Sequence, residues 1–347
     1  MPPCLPARGR GVTFLHAILA RLLGDFLATL LLGVVVIMGF LTFNVLFLIW
    51  LERKVAGHIQ RRPGPMEVGP HGALQTVADM LKLLSKQLFT PVAADRYTYL
   101  LAPILVFMPT LCVASLIPVG DATAFAEMPY GLIVITALSG LTVISIFMAG
   151  WSSNNKYAVL GGLRSVAQVV AYEIPVLLSA LSVVLIAQTL DLQQFGDTRF
   201  WPHLFGLPLP YVVVEPVAAV IFLIGITAET NRAPFDSPEA ESELVGGFHT
   251  EYSGMRFAMF FFAEYTNMLV LGALGATLFL GGWKGPLLPG WLWIILKAYA
   301  VIVVMMWARW TFPRLRFDQL MSFAWKLLIP LALANLVATA LVLGAIA

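Results

Sequence analysis

The chain has 347 residues, of which 59% are hydrophobic and 12% are charged, and its formal net charge is +2. A soluble domain is about half apolar and about a quarter charged, so this composition indicates a polytopic membrane protein. The small net charge does not favour nucleic-acid binding. Two cysteines, Cys4 and Cys112, are too few for an iron–sulfur cluster, and the five histidines are scattered. Because no nucleotide-binding motif is present either, we predict no metal site and no bound cofactor, with electrons coming from another chain.

Apolar runs long enough to cross a bilayer, which takes about 20 residues, occur eight times along the chain. The predicted fold is therefore an all-α membrane protein with an eight-helix transmembrane bundle. Residues 1–24 form a predicted N-terminal extension, and residues 25–347 form a single transmembrane domain. The predicted spans cover residues 26–51, 97–117, 130–151, 165–190, 211–229, 257–281, 291–310 and 325–346.

The basic residues predict the orientation of this bundle. Most of the 21 Lys and Arg residues lie in the loops after the first, third, fifth and seventh spans. Cytoplasmic loops carry an excess of Lys and Arg, so these loops are predicted to be cytoplasmic and both termini to lie outside. The predicted location is a bacterial plasma (inner) membrane, with the mitochondrial inner membrane as the alternative.

The segment after the first span combines basic residues with a predicted surface helix. Glycines and prolines between Gly57 and Gly72 exclude a regular helix there. Residues 73–88 then have the pattern of an amphipathic interfacial helix, with apolar positions at Leu74, Val77, Leu81, Leu84 and Leu88. One interpretation is that this segment only fixes the topology. The other is a portal for a lipid-soluble molecule, with polar groups at its mouth from Glu52, Arg53, Arg62, Asp79 and Lys82.

The acidic residues are concentrated in one part of the chain. Seven of the 19 Asp and Glu residues fall in the stretch from the end of the fifth span into the sixth: Glu229, Asp236, Glu239, Glu241, Glu243, Glu251 and Glu264. Glu173 lies inside the fourth span, two residues before Pro175, which frees a backbone carbonyl. Acids near hydrocarbon are costly and usually functional, so these residues predict a place that handles protons, cations or a polar headgroup. The alternatives are a solvated acidic cytoplasmic loop over residues 229–256 and a structural, hydrogen-bonded Glu173.

Several motifs in these loops resemble one known family, the quinone-site membrane subunit of respiratory complex I, which bacteria and mitochondria share. The resemblance covers nearly the whole chain from about residue 25, in the same order. Five positions depart from the family pattern: Met66 stands for a usual Asn, Thr76 for a common Pro, Gln87 for a common Glu, and Trp310 and Ala324 each for a common Gly. The matching segments are ERK at 52–54, WSSNNKYA at 151–158, YEIP at 172–175, ETNRAPFD at 229–236, HTEYSGM at 249–255 and PRLRFDQLM at 313–321.

The resemblance implies a subunit of a proton-translocating NADH:quinone oxidoreductase that is not active alone. It implies a quinone tunnel lined or stabilised by Glu52, Arg53, Arg62, Asp79 and Lys82. It also implies a proton path through Glu173, Glu229, Asp236, Glu239, Glu241, Glu243, Glu251 and Glu264. Quinone would be the substrate, while NADH, FMN and the iron–sulfur clusters would be bound by partners. Those partners would be the peripheral-arm quinone-site subunits and small membrane-arm subunits.

Two other functions fit parts of the sequence. The first is the homologous membrane subunit of an energy-converting hydrogenase or formate-oxidising complex, which neighbouring genes for nickel-site subunits would indicate. The second is a stand-alone ion transporter, which would be active as the purified chain in vesicles. The absence of a visible internal repeat argues against a transporter built on inverted repeats.

Overall fold

The computed structural model describes residues 25–120, 128–196, 203–204, 207–238 and 241–346. The predicted N-terminal extension, Glu239 and the side chain of Glu241 lie outside the described part. The structure is all-helical apart from a two-residue antiparallel ladder, in which His203–Leu204 (β1) pairs with Leu207–Pro208 (β2). The all-α prediction is therefore confirmed for the described residues.

The described part of the chain contains twelve α-helices. In chain order they are α1 (Asp25–Ile59), α2 (Gln75–Ser85), α3 (Arg96–Leu116), α4 (Gly131–Ser152), α5 (Lys156–Ala187), α6 (Tyr211–Val214), α7 (Pro216–Glu229), α8 (Glu241–Leu244), α9 (Gly254–Phe279), α10 (Gly290–Thr311), α11 (Phe317–Phe323) and α12 (Ile329–Ile346). A π-helical turn, Ala324–Leu328, joins α11 to α12, and a 3-10 turn, Gly247–His249, precedes α9.

Seven helices within the described residues are long and apolar enough to cross a membrane. The chain is therefore a multi-pass membrane protein. The fifth predicted span is instead divided into α6 and the 14-residue α7, because Glu215 between them leaves the helical conformation. Pro216 lacks a backbone N–H and suits the first position of a new helix, so it begins α7. The eighth span stays a prediction.

Two helices extend beyond the predicted span ends. Helix α1 continues past Glu52, Arg53 and Lys54 to Ile59, and α5 begins at Lys156, nine residues before the predicted span. Hydropathy marks where an apolar run meets charge, but charged residues are themselves good helix formers. Both helices therefore carry charged residues from the apolar region into a polar one.

Helix α9 lies at the centre of the bundle and contacts α1, α3, α7 and α10. Its Met268 and Leu278 are almost completely buried. Small residues allow close packing here, since a Cβ built on Gly275 would lie only 3.0 Å from Cε1 of Phe222 in α7. The side chains of α9 are consequently held in fixed positions relative to these four neighbouring helices.

Helix α2 is the predicted amphipathic helix, and it packs against α1 and α9. Thr76 faces the bundle and is 4% exposed. The apolar positions predicted from spacing are the exposed ones, and they are Leu74, Val77, Leu81, Leu84 and Leu88. An apolar stripe of this kind suits the interface of a bilayer, and the position of α2 in that interface stays a prediction.

Candidate functional site

A charged cavity with a volume of about 580 Å³ lies where α1, α9, α10 and the loops after α1 and α7 meet. Its wall combines two acids, four arginines and three aromatic rings. These residues are Glu52, Glu264, Arg53, Arg62, Arg232, Arg309, Phe261, Tyr265 and Trp310. Cavities of about 300–1,000 Å³ with a few convergent polar groups are typical of small-molecule sites.

The two acids of this cavity are held by arginines. Oε1 of Glu52, a residue only 5% exposed, pairs with Arg309 and lies 3.5 Å from Nη1 of Arg232. Its Oε2 accepts a 2.7 Å hydrogen bond from the Tyr265 hydroxyl. Nη2 of Arg232 lies 3.1 Å from Oε1 of Glu264, and its guanidinium is 4.3 Å from the Tyr265 ring centroid. Charge of both signs is thus fixed in a buried setting.

Each member of this network comes from a different part of the sequence. Glu52 is near the C-terminal end of α1, Arg309 is in the last turn of α10, and Glu264 is near the middle of α9. Arg232 lies in the turn after α7, where its backbone N–H donates to the Thr227 carbonyl at 3.2 Å. The network therefore forms only when these segments pack together.

Three of the five predicted tunnel residues line this cavity, and these are Glu52, Arg53 and Arg62. Asp79 on α2 does not line it but pairs with Arg53 at 2.7 Å, and both side chains are partly exposed. Lys82, one turn further along α2, is exposed and is not part of the cavity wall. The predicted group is thus brought together except for Lys82.

A second, much smaller cavity of about 30 Å³ lies among α3, α4, α5, α7 and α9. Glu173 and Glu229 line it, and Oε1 of Glu173 accepts a 2.7 Å hydrogen bond from the Ser139 hydroxyl. The rest of the wall is apolar or neutral, with Asn267 as its amide, and contains no Lys or Arg. A cavity of this size accommodates one or two water molecules.

The two cavities are neighbours along α9. Glu264 and Tyr265 line the large cavity, while Asn267 lines the small one. These positions lie within one helical turn, which rises about 5.4 Å. The chain also connects the cavities after α7, because Glu229 lines the small one and Arg232 lines the large one.

Three other predicted acids have partners outside both cavities. Oδ2 of Asp236 accepts from Arg314 at 3.0 Å, and Glu243 pairs with Arg164 at 2.6 Å. Burial nevertheless raises the pKa of Asp236, with Arg314 opposing that shift. Oε1 of Glu251 accepts from Asn155 Nδ2 at 2.6 Å. These acids fasten the loop to neighbouring segments.

Some residues of the site had no specific role in the sequence prediction. Arg309 pairs with Glu52, and the Tyr265 hydroxyl donates to the same carboxylate. The sequence feature that could have indicated Arg309 is a single arginine in the last turn of an apolar helix. His249 lies against Phe257 and Phe261, with ring centroids 5.3 and 6.2 Å apart. Burial lowers the pKa of His249, while Glu264 and Asp236 oppose that shift.

Among the described residues, no group of three or more His, Cys, Asp or Glu side chains is placed to hold a metal ion. The acids of the large cavity lie near arginines and the Tyr265 hydroxyl. Those of the small cavity lie near the Ser139 hydroxyl and one another. This arrangement can bind a polar headgroup and exchange protons.

Comparisons with known proteins agree on one family. Residues 32–340 match the family model described as NADH dehydrogenase. The chain is similar to a NADH-quinone oxidoreductase subunit of Dehalococcoides mccartyi, with 45% identity over 318 residues, covering 92% of this chain and 88% of the relative. It is similar to the Geobacillus kaustophilus protein of the same name, with 49% identity over 323 residues, covering 91% of this chain and 92% of the relative.

Proposed function

Since the chain belongs to this family of NADH-quinone oxidoreductase subunits, a membrane subunit of complex I, we propose that its charged cavity binds a quinone headgroup. The observation that carries the proposal is the cavity of about 580 Å³ at the ends of α1 and α10. Quinone carbonyl oxygens accept hydrogen bonds, and the wall offers guanidinium donors with aromatic surfaces. Trp310 lines the cavity, and its indole Nε1 is buried with no hydrogen-bond partner among the described residues, so it is an additional donor.

Reduction of a quinone to a quinol takes up two electrons and two protons. The electrons come from partner subunits that bind NADH, FMN and iron–sulfur clusters, and this chain binds none of these cofactors. Negative charge that develops on the quinone oxygens is stabilised by Arg232 and Arg309. Glu264 and the Tyr265 hydroxyl lie in the same wall and can exchange protons with the reduced headgroup.

The small cavity continues this chemistry into the bundle. Two negative charges at Glu173 and Glu229 would repel each other, and no cation in that wall offsets them. The small cavity therefore suits a proton that the two glutamates share and pass on. The charge of Glu264, one turn away on α9, influences that proton electrostatically. The cytoplasmic approach to this path runs through Asp236, Glu239, Glu241, Glu243 and Glu251.

The membrane arrangement is part of the same proposal. Helices α6 and α7 together form the eighth span, and α2 lies in the interface beside the cavity mouth, where Asp79 and Lys82 complete the entrance. Both termini lie outside a bacterial plasma membrane, and residues 229–256 form a cytoplasmic loop. The Lys and Arg distribution and the bacterial relatives support this arrangement. Residues 1–24 are an extension to the single domain of residues 25–347, and the partners are the other complex I subunits.

Quinone binding is tested by a matched pair of variants in the assembled complex. Arg62 lines the cavity, whereas its neighbour Arg61 does not. A charge-assisted hydrogen bond contributes about 1.5–3 kcal/mol, so Arg62→Met should raise the KM for quinone about tenfold or more. Arg61→Met removes the same charge and should leave KM unchanged. Equal effects of the two variants on KM would show that quinone binding responds only to the electrostatic potential of this region, and this would contradict the proposed site.

The proton path is tested by Glu173→Gln. This variant keeps the shape of the side chain but cannot release a proton, so proton translocation should fall while quinone reduction continues. Glu67→Gln, at an exposed position in the loop after α1, is the control. The measurement is proton uptake or release per quinone reduced in vesicles that contain the complex. Undiminished translocation with normal quinone reduction would remove Glu173 from the path.

A further inference from the structure

Gln168 on α5 is completely buried and makes an unusual number of hydrogen bonds to one segment. Its Nε2 lies 2.8 Å from the Ala228 carbonyl, 2.6 Å from the Phe235 carbonyl and 3.2 Å from Oδ1 of Asn231. Its Oε1 accepts a 3.0 Å hydrogen bond from the Ser237 hydroxyl. One amide group thus contacts both ends of the segment from 228 to 237.

The residues between these ends face the two cavities. Glu229 lines the small cavity and Arg232 lines the large one, while Gln168 itself lines neither. The guanidinium of Arg232 reaches away from α5 to Glu52 and Glu264. The position of that guanidinium therefore depends on a segment whose ends are both fixed by Gln168.

Other contacts also hold the middle of this segment. Asn231 has a left-handed backbone, with φ of 51°, and its Nδ2 lies 3.4 Å from the Ser165 hydroxyl. The Arg232 carbonyl accepts from the backbone N–H of Phe235 at 2.9 Å, and the Arg232 N–H donates to the Thr227 carbonyl at 3.2 Å. Gln168 supplies four of the described side-chain hydrogen bonds that join this segment to α5, at distances of 2.6–3.2 Å.

We propose that Gln168 is a positioning residue that holds Arg232 against Glu52 and Glu264 and thereby sets the affinity of the large cavity for a quinone headgroup. The inference rests on the proposed function, because the large cavity must be the quinone site. A side chain that acts only through Arg232 affects substrate binding more than it affects the overall fold. It also loses its effect once Arg232 no longer makes its normal contacts.

The test uses Gln168→Met, Arg232→Lys and the double variant in the assembled complex. Gln168→Met keeps the length of the side chain and removes all four hydrogen bonds. Ser179→Ala is the control, because Ser179 is buried on the same helix and donates within that helix, to the Val176 carbonyl at 2.8 Å. Reduction of a water-soluble acceptor by NADH reports assembly of the electron-input subunits, and quinone reduction gives KM and kcat.

We expect Gln168→Met to raise the KM for quinone about fivefold, with a smaller change in kcat and an unchanged rate with the soluble acceptor. Arg232→Lys should raise KM as well, and Gln168→Met should add little in that background, because both changes act on the same contact. Ser179→Ala should match the parent. Should Gln168→Met fail to assemble, Ser237→Ala removes one of the four bonds and should raise KM about twofold.

Three outcomes separate the two proposals. Parental quinone kinetics in Gln168→Met, or in Ser237→Ala where that variant replaces it, overturn the positioning role if Arg232→Lys raises KM. Fully additive effects in the double variant also overturn it, since Gln168 would then act independently of Arg232. Parental kinetics in Arg232→Lys would instead overturn the assignment of the large cavity as the quinone site.

Discussion

The two cavities on α9 both contain two glutamates but differ in what surrounds these acids. In the large cavity, Arg232 and Arg309 lie within ion-pairing distance of Glu52. In the small cavity, the neighbours of Glu173 and Glu229 are hydroxyl, amide and apolar groups. In the ion-pair network of the large cavity, two arginines thus balance two acids, whereas the acids of the small cavity have no cation in their wall.

The difference shows how the environment divides the work among acids. A buried ion pair with good geometry fixes its charges, and removing one partner leaves the other uncompensated. The acid pair of the small cavity has no cation in its wall that would fix two negative charges. The proposed function therefore assigns headgroup binding to the first cavity and proton transfer to the second.

The largest expected effect comes from breaking the charge balance of the large cavity. Arg232→Met removes one of the two arginines that pair with Glu52, the same arginine whose Nη2 lies 3.1 Å from Oε1 of Glu264. Loss of one partner of a buried pair costs about 3–5 kcal/mol, so the amount and thermal stability of assembled complex should fall sharply. Blue-native gels and thermal inactivation in detergent measure this.

Arg316→Met is the matched control for that experiment. Arg316 pairs with Asp318 at 3.5 Å, but both side chains are largely exposed, with 79% and 70% exposure. Exposed pairs contribute about 0–1 kcal/mol, so this variant should assemble like the parent. A complex as stable in Arg232→Met as in Arg316→Met would show that the large cavity does not depend on charge balance.

The next effect separates the two cavities by their kinetics. Glu229→Gln removes a titratable group from the small cavity without removing a cation or a large-cavity contact. Proton translocation should fall about tenfold or more, because a group in proton transfer contributes at least that much, while the KM for quinone stays near parental. Glu52→Gln should show the opposite pattern, in which the KM for quinone changes more than proton translocation does.

That contrast is measured as proton translocation and quinone reduction in the same vesicles. If Glu229→Gln and Glu52→Gln change KM and translocation to the same relative extent, the two cavities do not have separate functions.

Hydropathy allowed the long helices to be predicted, because an apolar run of bilayer length is a local property of the sequence. The break of the fifth span also had a local signal, the Glu215–Pro216 pair. The end of α1 was placed too early and the start of α5 too late, because charged residues continue a helix as readily as apolar ones. Local signals thus predicted the presence of these elements better than their ends.

The candidate site, too, has features with a local sequence signal and features without one. Acids within apolar surroundings are visible in a sequence, and Glu52, Glu173 and Glu264 all lie at a cavity. Which cation meets which acid is decided by contacts between distant segments, so the pairing of Glu52 with Arg309 has no local signal. The role of Gln168 was hidden for the same reason, because a glutamine in an apolar helix does not show what it binds.

A smaller effect tests the hydroxyl of the small cavity. Ser139→Ala removes the 2.7 Å hydrogen bond to Glu173. Hydrogen bonds between membrane helices contribute about 0.6–1.7 kcal/mol, so proton translocation should slow about threefold to twentyfold. Ser145→Ala is the control, because Ser145 is buried on the same helix and donates to the Leu141 carbonyl within it. Equal slowing in both variants would mean that the loss of a serine hydroxyl affects α4 itself and that the bond from Ser139 to Glu173 is not what matters.

The smallest effect tests how far the charge balance of the large cavity extends towards His249. Burial lowers the pKa of His249 in the folded protein below its ordinary value of 6.5. The unfolded chain then binds the proton more readily, so His249 reduces stability as pH falls through about 6.5 and has no such effect well above it. His249→Phe keeps an aromatic ring beside Phe257 and Phe261 and removes the titration.

Below about pH 6.5 the thermal midpoint of His249→Phe should therefore rise relative to that of the parent, by about 1–3 °C at about pH 5.5, and the difference should shrink towards about pH 8. Thermal unfolding of the detergent-solubilised complex across this range measures it. The opposite trend, with the variant losing stability relative to the parent at low pH, would mean that Glu264 and Asp236 attract the proton more strongly than burial repels it. The acids near His249 would then carry negative charge beyond what the arginines balance, and the contrast between the two cavities would be smaller than the ion pairs indicate.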